Sequence, residues 1–179
     1  MKRRAVFLDR DGVINRALVR EGKPYPPATL AELEILPEVP ATLTRLHQAG
    51  FWLIVVTNQP DVARGTQTQA MVEAFHQQLQ KQLPIDEFRV CYHDDTDHCD
   101  CRKPLPGLLV KAAQALNLEL AKCFMVGDRW RDIEAGQRAG CITIFIDYHY
   151  RERQPTHFEV KVNSLSEAVQ WILDLESLH

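Results

Sequence analysis

Short, mostly apolar runs alternate along this chain with longer segments whose apolar residues recur at helical spacing. The runs cover residues 6–8, 51–56, 88–91, 123–126 and 142–146. Continuous apolar runs of this length are typical of strands that are covered on both faces of a sheet. The alternation therefore predicts an α/β fold with a doubly wound, mostly parallel, Rossmann-like sheet of about five or six strands.

The helical segments carry residues that start or stop a helix. The first predicted helix is opened by Pro37 and ended by Gly50, and the second is capped by Thr66 and ended by Pro84. Two more cover residues 108–116 and 133–139. A closing helix begins with a capping box of Ser164 and Glu167. A chain of 179 residues can bury one sizeable core. We therefore expect a single domain over residues 1–179.

Residues 16–37 form a long polar stretch that follows neither pattern. Gly22, Pro24, Pro26 and Pro27 interrupt it. These residues predict a long loop with at most one short turn of structure. Loops of this length in compact domains usually have a function.

Charge and composition narrow the function classes. The chain has 21 basic and 24 acidic residues, a formal net charge of −3, and a pI near 6.2. This balance argues against a surface built for nucleic-acid phosphates, although a local basic pocket is compatible with it. The apolar runs are too short for a signal peptide or a membrane span. We expect a cytoplasmic monomer without nucleic-acid or membrane partners.

Four carboxylates follow two of the predicted strands. Asp9 and Asp11 come after the first strand, Asp128 directly follows the fourth, and Asp132 lies about one helical turn later. The carboxyl ends of parallel strands meet at one edge of a sheet, where ligands bind. Taken singly, Asp9 and Asp11 fit a polar turn and Asp128 fits a helix cap. Together they favour a Mg²⁺ site that leaves positions for water and phosphate.

A carboxylate beside a metal ion can also act as a nucleophile. Asp9 can attack phosphorus to form an aspartyl-phosphate, while Asp11 protonates the leaving oxygen and then activates water. Thr57 and Asn58, after the second strand, offer donors to phosphoryl oxygens. Lys103 brings a cation to the charge that develops in the transition state.

Three of the five cysteines lie close together in sequence. Cys91, Cys99 and Cys101, with His93, offer three thiolates and one imidazole, which is enough for a closed tetrahedral Zn²⁺ site. His98 is an alternative to His93 that spacing leaves open. The odd cysteine count argues against a disulfide framework.

Such a zinc ion would be structural, because four protein ligands leave no open coordination position. It would fold the loop that delivers Arg102 and Lys103, which directly follow Cys101 in the sequence, into the site.

The four motifs together resemble the haloacid-dehalogenase superfamily of phosphotransferases. In order and spacing, the matching motifs are Asp9-Arg-Asp-Gly12, Thr57-Asn-Gln59, Lys103 with Pro104, and Gly127-Asp128 with Asp132. The zinc loop, which ends in Cys-x-Cys-Arg-Lys-Pro, is similar to the bacterial branch that contains D-glycero-D-manno-heptose 1,7-bisphosphate phosphatase and the histidinol-phosphate phosphatase domain.

The resemblance implies a fold whose cap consists of loops only. It implies that Asp9 is the nucleophile and Asp11 the acid and base. It also implies that Asp9, Asp128 and the main-chain carbonyl of Asp11 hold Mg²⁺, with Asp132 in support. Two features depart from that branch: Pro60-Asp61 in place of a Ser-Gly pair, and the segment of residues 23–27.

Counting charges favours a substrate with a second anionic group. The candidate substrate contacts are Thr57, Asn58, Gln59, Arg64, Arg102 and Lys103. Once Mg²⁺ and Lys103 neutralise the transferring phosphoryl group, the cations left without an assigned partner are Arg64, Arg102, and Arg129 or Lys23. Each could pair with a surface acid. We predict a sugar bisphosphate, first heptose 1,7-bisphosphate, which would lose its 7-phosphate.

Other functions remain open on sequence alone. The nearest alternative substrates are histidinol phosphate and sugar phosphates other than heptose 1,7-bisphosphate. The five residues between His93 and Cys99 in the zinc loop also resemble the histidinol branch. Asp11 and the zinc loop count against a receiver-like module that only accepts phosphate. The net charge and the lack of an aromatic and basic stripe count against a polynucleotide end-phosphatase.

Overall fold

The structure is a computed structural model that describes residues 3–178. Its strands are β1 (Ala5–Leu8), β2 (Leu18–Arg20), β3 (Lys23–Tyr25), β4 (Trp52–Asn58), β5 (Glu87–Cys91), β6 (Phe124–Gly127), β7 (Ile142–Ile146) and β8 (Val160–Val162). Its helices are α1 (Val39–Gln48), α2 (Gln69–Gln82), α3 (Gly107–Leu116), α4 (Trp130–Ala139) and α5 (Leu165–Ser177).

The main sheet confirms the predicted α/β architecture. Within the described residues it has six strands in the order β5-β4-β1-β6-β7-β8, and every neighbouring pair is parallel. β1 lies between β4 and β6, so the ends of these three strands are adjacent. The predicted runs became strands because each is apolar enough to be covered on both sides.

Alternate residues of β1 enter two different hydrophobic cores. Val6 and Leu8 pack in a core with residues of α1 and α5, whereas Ala5 and Phe7 pack in a core with residues of α3 and α4. All four side chains of β1 are fully buried. Because side chains alternate along a strand, helices on both faces hold β1 rigidly, and with it the start of the Asp9 loop.

The prediction of an almost unstructured loop over residues 16–37 is wrong. β2 and β3 form an antiparallel hairpin in this segment, and a short 3₁₀ turn covers Leu30–Glu32. Glu21 and Gly22 form the turn, with φ angles of 52° and 78°. The strands are only three residues long and mostly exposed, so they lack the apolar run that marks a buried strand.

The starts of α1 and α2 each lie two residues after the predicted positions. α1 begins at Val39 with Pro40 in its first turn, so Pro37 lies just outside it. Thr68, rather than Thr66, caps α2 by accepting a hydrogen bond from the backbone of Met71 at 3.1 Å.

The cap of α5 is half of the predicted capping box. The Ser164 hydroxyl accepts from the Glu167 backbone. The Glu167 carboxylate, however, accepts from the backbone of Asn163. None of the helices within residues 3–178 has the length and apolar character needed to cross a membrane.

Candidate active site

The carboxyl ends of β1, β4 and β6 open into a cavity of about 350 Å³. Its lining includes residues from all of these strand ends, from the β2–β3 hairpin and from the loop before α3. The titratable side chains in the lining are Asp9, Asp11, Lys23, Tyr25, Asp61, Arg64, Asp95, Arg102, Lys103, Arg129, Arg131 and Asp132. The structure therefore brings together acids and cations that are far apart in the sequence.

Asp9 and Lys103 form a buried ion pair at the floor of the cavity. The Lys103 ammonium donates to Asp9 Oδ1 at 2.8 Å, to Asp132 Oδ1 at 2.6 Å and to the Val56 carbonyl at 2.8 Å. Burial, with the nearby Asp132, raises the pKa of Asp9 to about 6 despite Lys103. Burial alone would lower the pKa of Lys103, but Asp132 and Asp9 raise it, so the ammonium stays charged.

Asp11 faces a different environment. Arg10 donates to both of its carboxylate oxygens, at 2.9 and 3.0 Å, and Asn15 and Gln59 each donate at 3.0 Å. Burial alone would raise the pKa of Asp11, but the Arg10 charge and these hydrogen bonds outweigh it and hold the pKa below its usual range. Two neighbouring acids thus have pKa values pushed in opposite directions.

Arg10 is itself held by two residues of α2, His76 and Phe75. It is fully buried, and it donates to His76 Nε2 at 3.2 Å. Its guanidinium lies over the Phe75 ring. Burial and Arg10 lower the pKa of His76 to about 3, so this imidazole is a neutral acceptor. No spacing rule links α2 to the Asp9 loop, and only the fold reveals this contact.

The last residues of β4 and the residue directly after it hold catalytic candidates in place. The Asn58 side chain exchanges two hydrogen bonds of 3.0 Å with the Lys103 backbone. Gln59, predicted as a substrate contact, is only 3% exposed and donates to Asp11 and to the Thr57 hydroxyl. Thr57, also predicted as a substrate contact, is only 1% exposed. Asn58 and Gln59 therefore position Lys103 and Asp11.

Asp128 lies beside Asp9 at the end of β6. Ligand oxygens of Asp9, Asp128 and Asp132 all lie within 4.8 Å of one another. Burial, Asp9 and Asp132 raise the pKa of Asp128. Its Oδ2 accepts from the Tyr150 hydroxyl at 2.9 Å, while its Oδ1 is buried without a hydrogen-bond partner in the described chain. Clustered carboxylates with an unused oxygen fit a hard divalent cation such as Mg²⁺.

Two arginines of the cavity, Arg64 and Arg129, have carboxylate partners that could not be assigned from the sequence. Arg64 forms a two-pronged pair with Asp94 at 2.7 and 2.8 Å, and Arg129 pairs in the same way with Glu152. The assumption that they are unpaired is therefore wrong. Each is near an acid on a neighbouring loop, which sequence separation conceals.

Within the described part of the chain, Arg102 pairs with a carboxylate through one nitrogen. Its Nε donates to Asp95 at 2.7 Å. Its Nη1 is buried and has no hydrogen-bond partner among residues 3–178. Because a guanidinium presents several donors in a fixed plane, Arg102 retains a donor that faces no protein acceptor. Lys23, on the hairpin, likewise lines the cavity without forming an ion pair in the described region.

A second cluster lies next to the cavity. Cys91 Sγ lies 3.0 Å from Cys101 Sγ, 3.7 Å from Cys99 Sγ and 3.6 Å from His93 Nδ1. The ligand atoms of all four residues lie within 4.8 Å of one another. The grouping contains His93 and leaves out His98. Three sulfurs and one imidazole nitrogen at this spacing fit the donor set of a tetrahedral Zn²⁺ site.

Comparison with known families agrees with this geometry. The family model of the haloacid dehalogenase-like hydrolases matches residues 25–140, which is more than half of the chain. The chain belongs to the haloacid dehalogenase-like hydrolase family. This match confirms the family and, with the relatives described next, the predicted enzyme class of phosphoric monoester hydrolase.

Several relatives of this hydrolase share one name with each other. It is 35% identical over 151 residues, 82% of each chain, to D-glycero-beta-D-manno-heptose-1,7-bisphosphate 7-phosphatase of Pseudomonas aeruginosa. It is 34% identical over 147 residues, 75% of this chain and 74% of the relative, to the protein of that name in Escherichia coli strain K12. These identities are high enough to place the proteins in one family.

Solved structures share the fold of this hydrolase. The D,D-heptose 1,7-bisphosphate phosphatase of Bordetella bronchiseptica, complexed with magnesium and phosphate, superimposes with a TM-score of 0.80 and 28% identity, and the match covers 97% of this chain and 99% of that chain. A putative HAD-like phosphatase of Mesorhizobium loti has a TM-score of 0.78 and 26% identity, with coverage of 97% and 88%.

Proposed function

We propose that this protein is a single-domain, Mg²⁺-dependent phosphatase that removes the 7-phosphate of a heptose 1,7-bisphosphate through an aspartyl-phosphate on Asp9. One arrangement carries the proposal. The Asp9 carboxylate lines the cavity with Lys103 at 2.8 Å, and the unpartnered Asp128 Oδ1 belongs to the same acid cluster. A nucleophile, a cation and a free metal ligand thus meet where a phosphoryl group can bind.

Asp9 would act in its ionised form. Its carboxylate oxygen bonds to phosphorus as the bond between phosphorus and the sugar oxygen breaks. Lys103 faces the negative charge that develops on the phosphoryl oxygens. Asp9 and Asp128, with the main-chain carbonyl of Asp11, would hold Mg²⁺, which when bound adds positive charge to the same oxygens.

Asp11 would protonate the leaving sugar oxygen and then take a proton from the attacking water. Its hydrogen bonds from Arg10 and Gln59 favour the ionised carboxylate, which is the form that the second step needs. An entering phosphate opposes this effect, because nearby negative charge favours a protonated carboxyl group. The substrate itself would therefore help Asp11 to carry a proton in the first step.

The charge of the cavity supports a substrate with two phosphates. Arg64 and Arg129 are neutralised by their carboxylate partners. Among the other lining cations, Arg102 and Lys23 are left for a second phosphate. A bound Mg²⁺ would add two positive charges at the transferring phosphate. Arg102 Nη1 is a buried donor without a protein acceptor, and such donors are costly unless a ligand satisfies them. The names of the relatives, which specify heptose 1,7-bisphosphate, support this substrate.

The cysteine cluster would hold a structural Zn²⁺. Cys91 ends β5, while Cys101 directly precedes Arg102 and Lys103. Zinc bound by Cys91, His93, Cys99 and Cys101 would tie the loop of residues 92–101 to the sheet. The ion would thereby fix the backbone from which both cationic side chains extend.

The substrate proposal is tested by comparing kcat/KM for heptose 1,7-bisphosphate and histidinol phosphate. We expect the wild type to prefer the bisphosphate and Arg102→Ala to lose about tenfold or more of that preference, because a buried charge-assisted hydrogen bond is worth about 1.5–3 kcal/mol. Arg138→Ala, an exposed change of the same charge on α4, is the matched control and should keep the wild-type ratio.

The same comparison can contradict the proposal in two ways. A wild type that prefers histidinol phosphate would favour the alternative branch. An Arg102→Ala variant with an unchanged ratio would show that Arg102 does not bind the second phosphate.

A further inference from the structure

Tyr150 belongs to no predicted motif, yet it contacts the proposed metal site. It follows β7 and is 8% exposed. Its hydroxyl donates to Asp128 Oδ2 at 2.9 Å, while Asp128 Oδ1 remains buried and unpartnered among the described residues. One carboxylate oxygen is therefore fixed by protein, and the other stays free for a ligand.

Gly12 closes another side of the same carboxylate. A Cβ atom at this position would lie 2.0 Å from Asp128 Oδ2 and 3.3 Å from the Tyr150 hydroxyl oxygen. Its φ angle of 89° is also one that other residues rarely adopt. The backbone of the Asp9 loop thus packs directly against Asp128 and Tyr150, which leaves the carboxylate little freedom to rotate.

The two residues that follow Tyr150 contact two different elements of the fold. The backbone of Arg151 donates to the Gly22 carbonyl of the hairpin at 2.8 Å. Glu152 accepts two hydrogen bonds from Arg129 Nε, at 3.0 and 3.1 Å, and Arg129 immediately precedes α4. Contacts to the hairpin and to the start of α4 therefore hold the Tyr150 hydroxyl at a fixed place.

We propose that Tyr150 is a positioning residue for Mg²⁺ that acts through Asp128: its hydroxyl orients Oδ2 so that Oδ1 points at the metal. This inference rests on the proposed function, in which Asp128 is a magnesium ligand. Hydrogen bonds to ligating carboxylates are a general means of orienting them, and removal of such a partner typically costs about 10- to 100-fold in metal affinity or activity.

The test is Mg²⁺ binding to the protein without substrate, measured by titration calorimetry. Tyr150→Phe removes only the hydroxyl, and we expect it to weaken Mg²⁺ binding about tenfold. Tyr148→Phe is the matched control, because Tyr148 is an exposed tyrosine in the same segment whose ring lies 5.8 Å from that of Tyr150. It should bind Mg²⁺ as the wild type does.

Activity gives a second readout. The Mg²⁺ concentration for half-maximal turnover should rise in Tyr150→Phe by the same factor as the dissociation constant, so the deficit should shrink as Mg²⁺ is raised. A deficit that Mg²⁺ does not relieve would contradict a positioning role, as would an equal loss of affinity in Tyr148→Phe.

A third measurement protects the test against loss of stability. Mg²⁺ raises the unfolding temperature of a protein that binds it in the folded state. Each variant is compared with its own metal-free baseline, and the rise should be smaller in Tyr150→Phe than in wild type even if the baseline falls. An equal rise would overturn the inference.

Asp128→Asn separates this inference from the function on which it rests. If Asp128→Asn binds Mg²⁺ as tightly as the wild type, the proposed metal site is wrong. If Asp128→Asn loses Mg²⁺ while Tyr150→Phe binds it normally, the site stands and only the role of Tyr150 fails.

Discussion

At the scale of single residues, the site depends on two acids in unlike surroundings. Asp9 is buried near Asp132, which raises its pKa to about 6. Asp11, two residues further along the chain, accepts hydrogen bonds from the side chains of Arg10, Asn15 and Gln59. These contacts lower its pKa against the effect of burial. The two acids are therefore not interchangeable, and the roles proposed for them rest on position. Asp9 lies beside Lys103 and within the acid cluster, whereas Asp11 is held by Arg10 and Gln59.

Asp11→Asn should lower turnover most for substrates with poor leaving groups. General acid catalysis typically contributes about 10²- to 10⁴-fold, and it matters only when the leaving oxygen needs a proton. The measurement is kcat/KM across aryl phosphates of graded leaving-group pKa. Asp174→Asn, an exposed acid on α5, serves as the control. If kcat/KM depended on leaving-group pKa with the same slope in Asp11→Asn and wild type, Asp11 would be excluded as the acid.

His76 should make the metal-free protein less stable in mild acid. Its pKa of about 3 in the folded state lies below the ordinary value of 6.5, so the unfolded chain binds the extra proton first. The contribution of neutral His76 to the free energy of unfolding is therefore fully present above pH 6.5 and is lost as the pH falls toward 3. Between pH 7 and 5 the loss is about 2 kcal/mol.

The control for this prediction is His76→Gln, which keeps an acceptor for Arg10 but does not titrate. Between pH 7 and pH 5, the free energy of unfolding should fall by about 2 kcal/mol more in the wild type than in this variant. His47→Gln changes an exposed histidine on α1 and should behave as the wild type. Equal losses in His76→Gln and wild type would show that His76 is not buried in neutral form.

The sequence indicated which acids matter but not what surrounds them. Asp9 and Asp128 could be identified because they directly follow apolar runs, and Asp11 because it comes two residues after Asp9. Tyr150 and His76 could not, because their contacts join segments that only the fold brings together. The partners of Arg64 and Arg129 were missed for the same reason.

At the scale of elements, strands buried on both faces were predictable and exposed ones were not. Residues 51–56 are an unbroken apolar run, and all of them except Phe51 lie within β4. β2, β3 and β8 have three residues each, too few to show a period. The β2–β3 hairpin is the most consequential omission, because it contributes Lys23 and Tyr25 to the cavity.

The zinc loop gives a prediction at this scale. Cys99→Ser should lower the zinc content from about one ion per chain and reduce kcat/KM, because the loop no longer fixes the backbone of Arg102 and Lys103. Most core residues lie outside this loop, so the free energy of unfolding should change less than activity. Elemental analysis and kinetics of the same preparation check both points.

A matched control for the zinc prediction is Cys123→Ser. The Cys123 thiol accepts from the Ala5 backbone and donates to the Glu119 carbonyl, and a hydroxyl can make both bonds. This variant should keep its zinc and its activity. A zinc-free Cys99→Ser protein with full activity would refute the structural role of the ion.

At the scale of the whole molecule, the sheet order explains why one site forms. β1 lies between β4 and β6, so Asp9 after β1, Thr57 near the end of β4 and Asp128 after β6 meet at one edge of the sheet. Lys103 arrives from the loop after β5 and pairs with Asp9 across 94 residues of sequence. The alternating pattern predicted this convergence, whereas the shape and charge of the cavity depend on the irregular segments between the strands.

The central claim is that Asp9 becomes phosphorylated during turnover. The most direct test is peptide mapping by mass spectrometry after acid quench of Asp11→Asn mixed with a phosphate ester that has a good leaving group. Without the base, hydrolysis slows and the intermediate accumulates. We predict one added phosphoryl group on the peptide that contains Asp9, and none when Asp9→Asn is added to the same variant. A phosphoryl group on another residue, or wild-type turnover by Asp9→Asn alone, would contradict the mechanism.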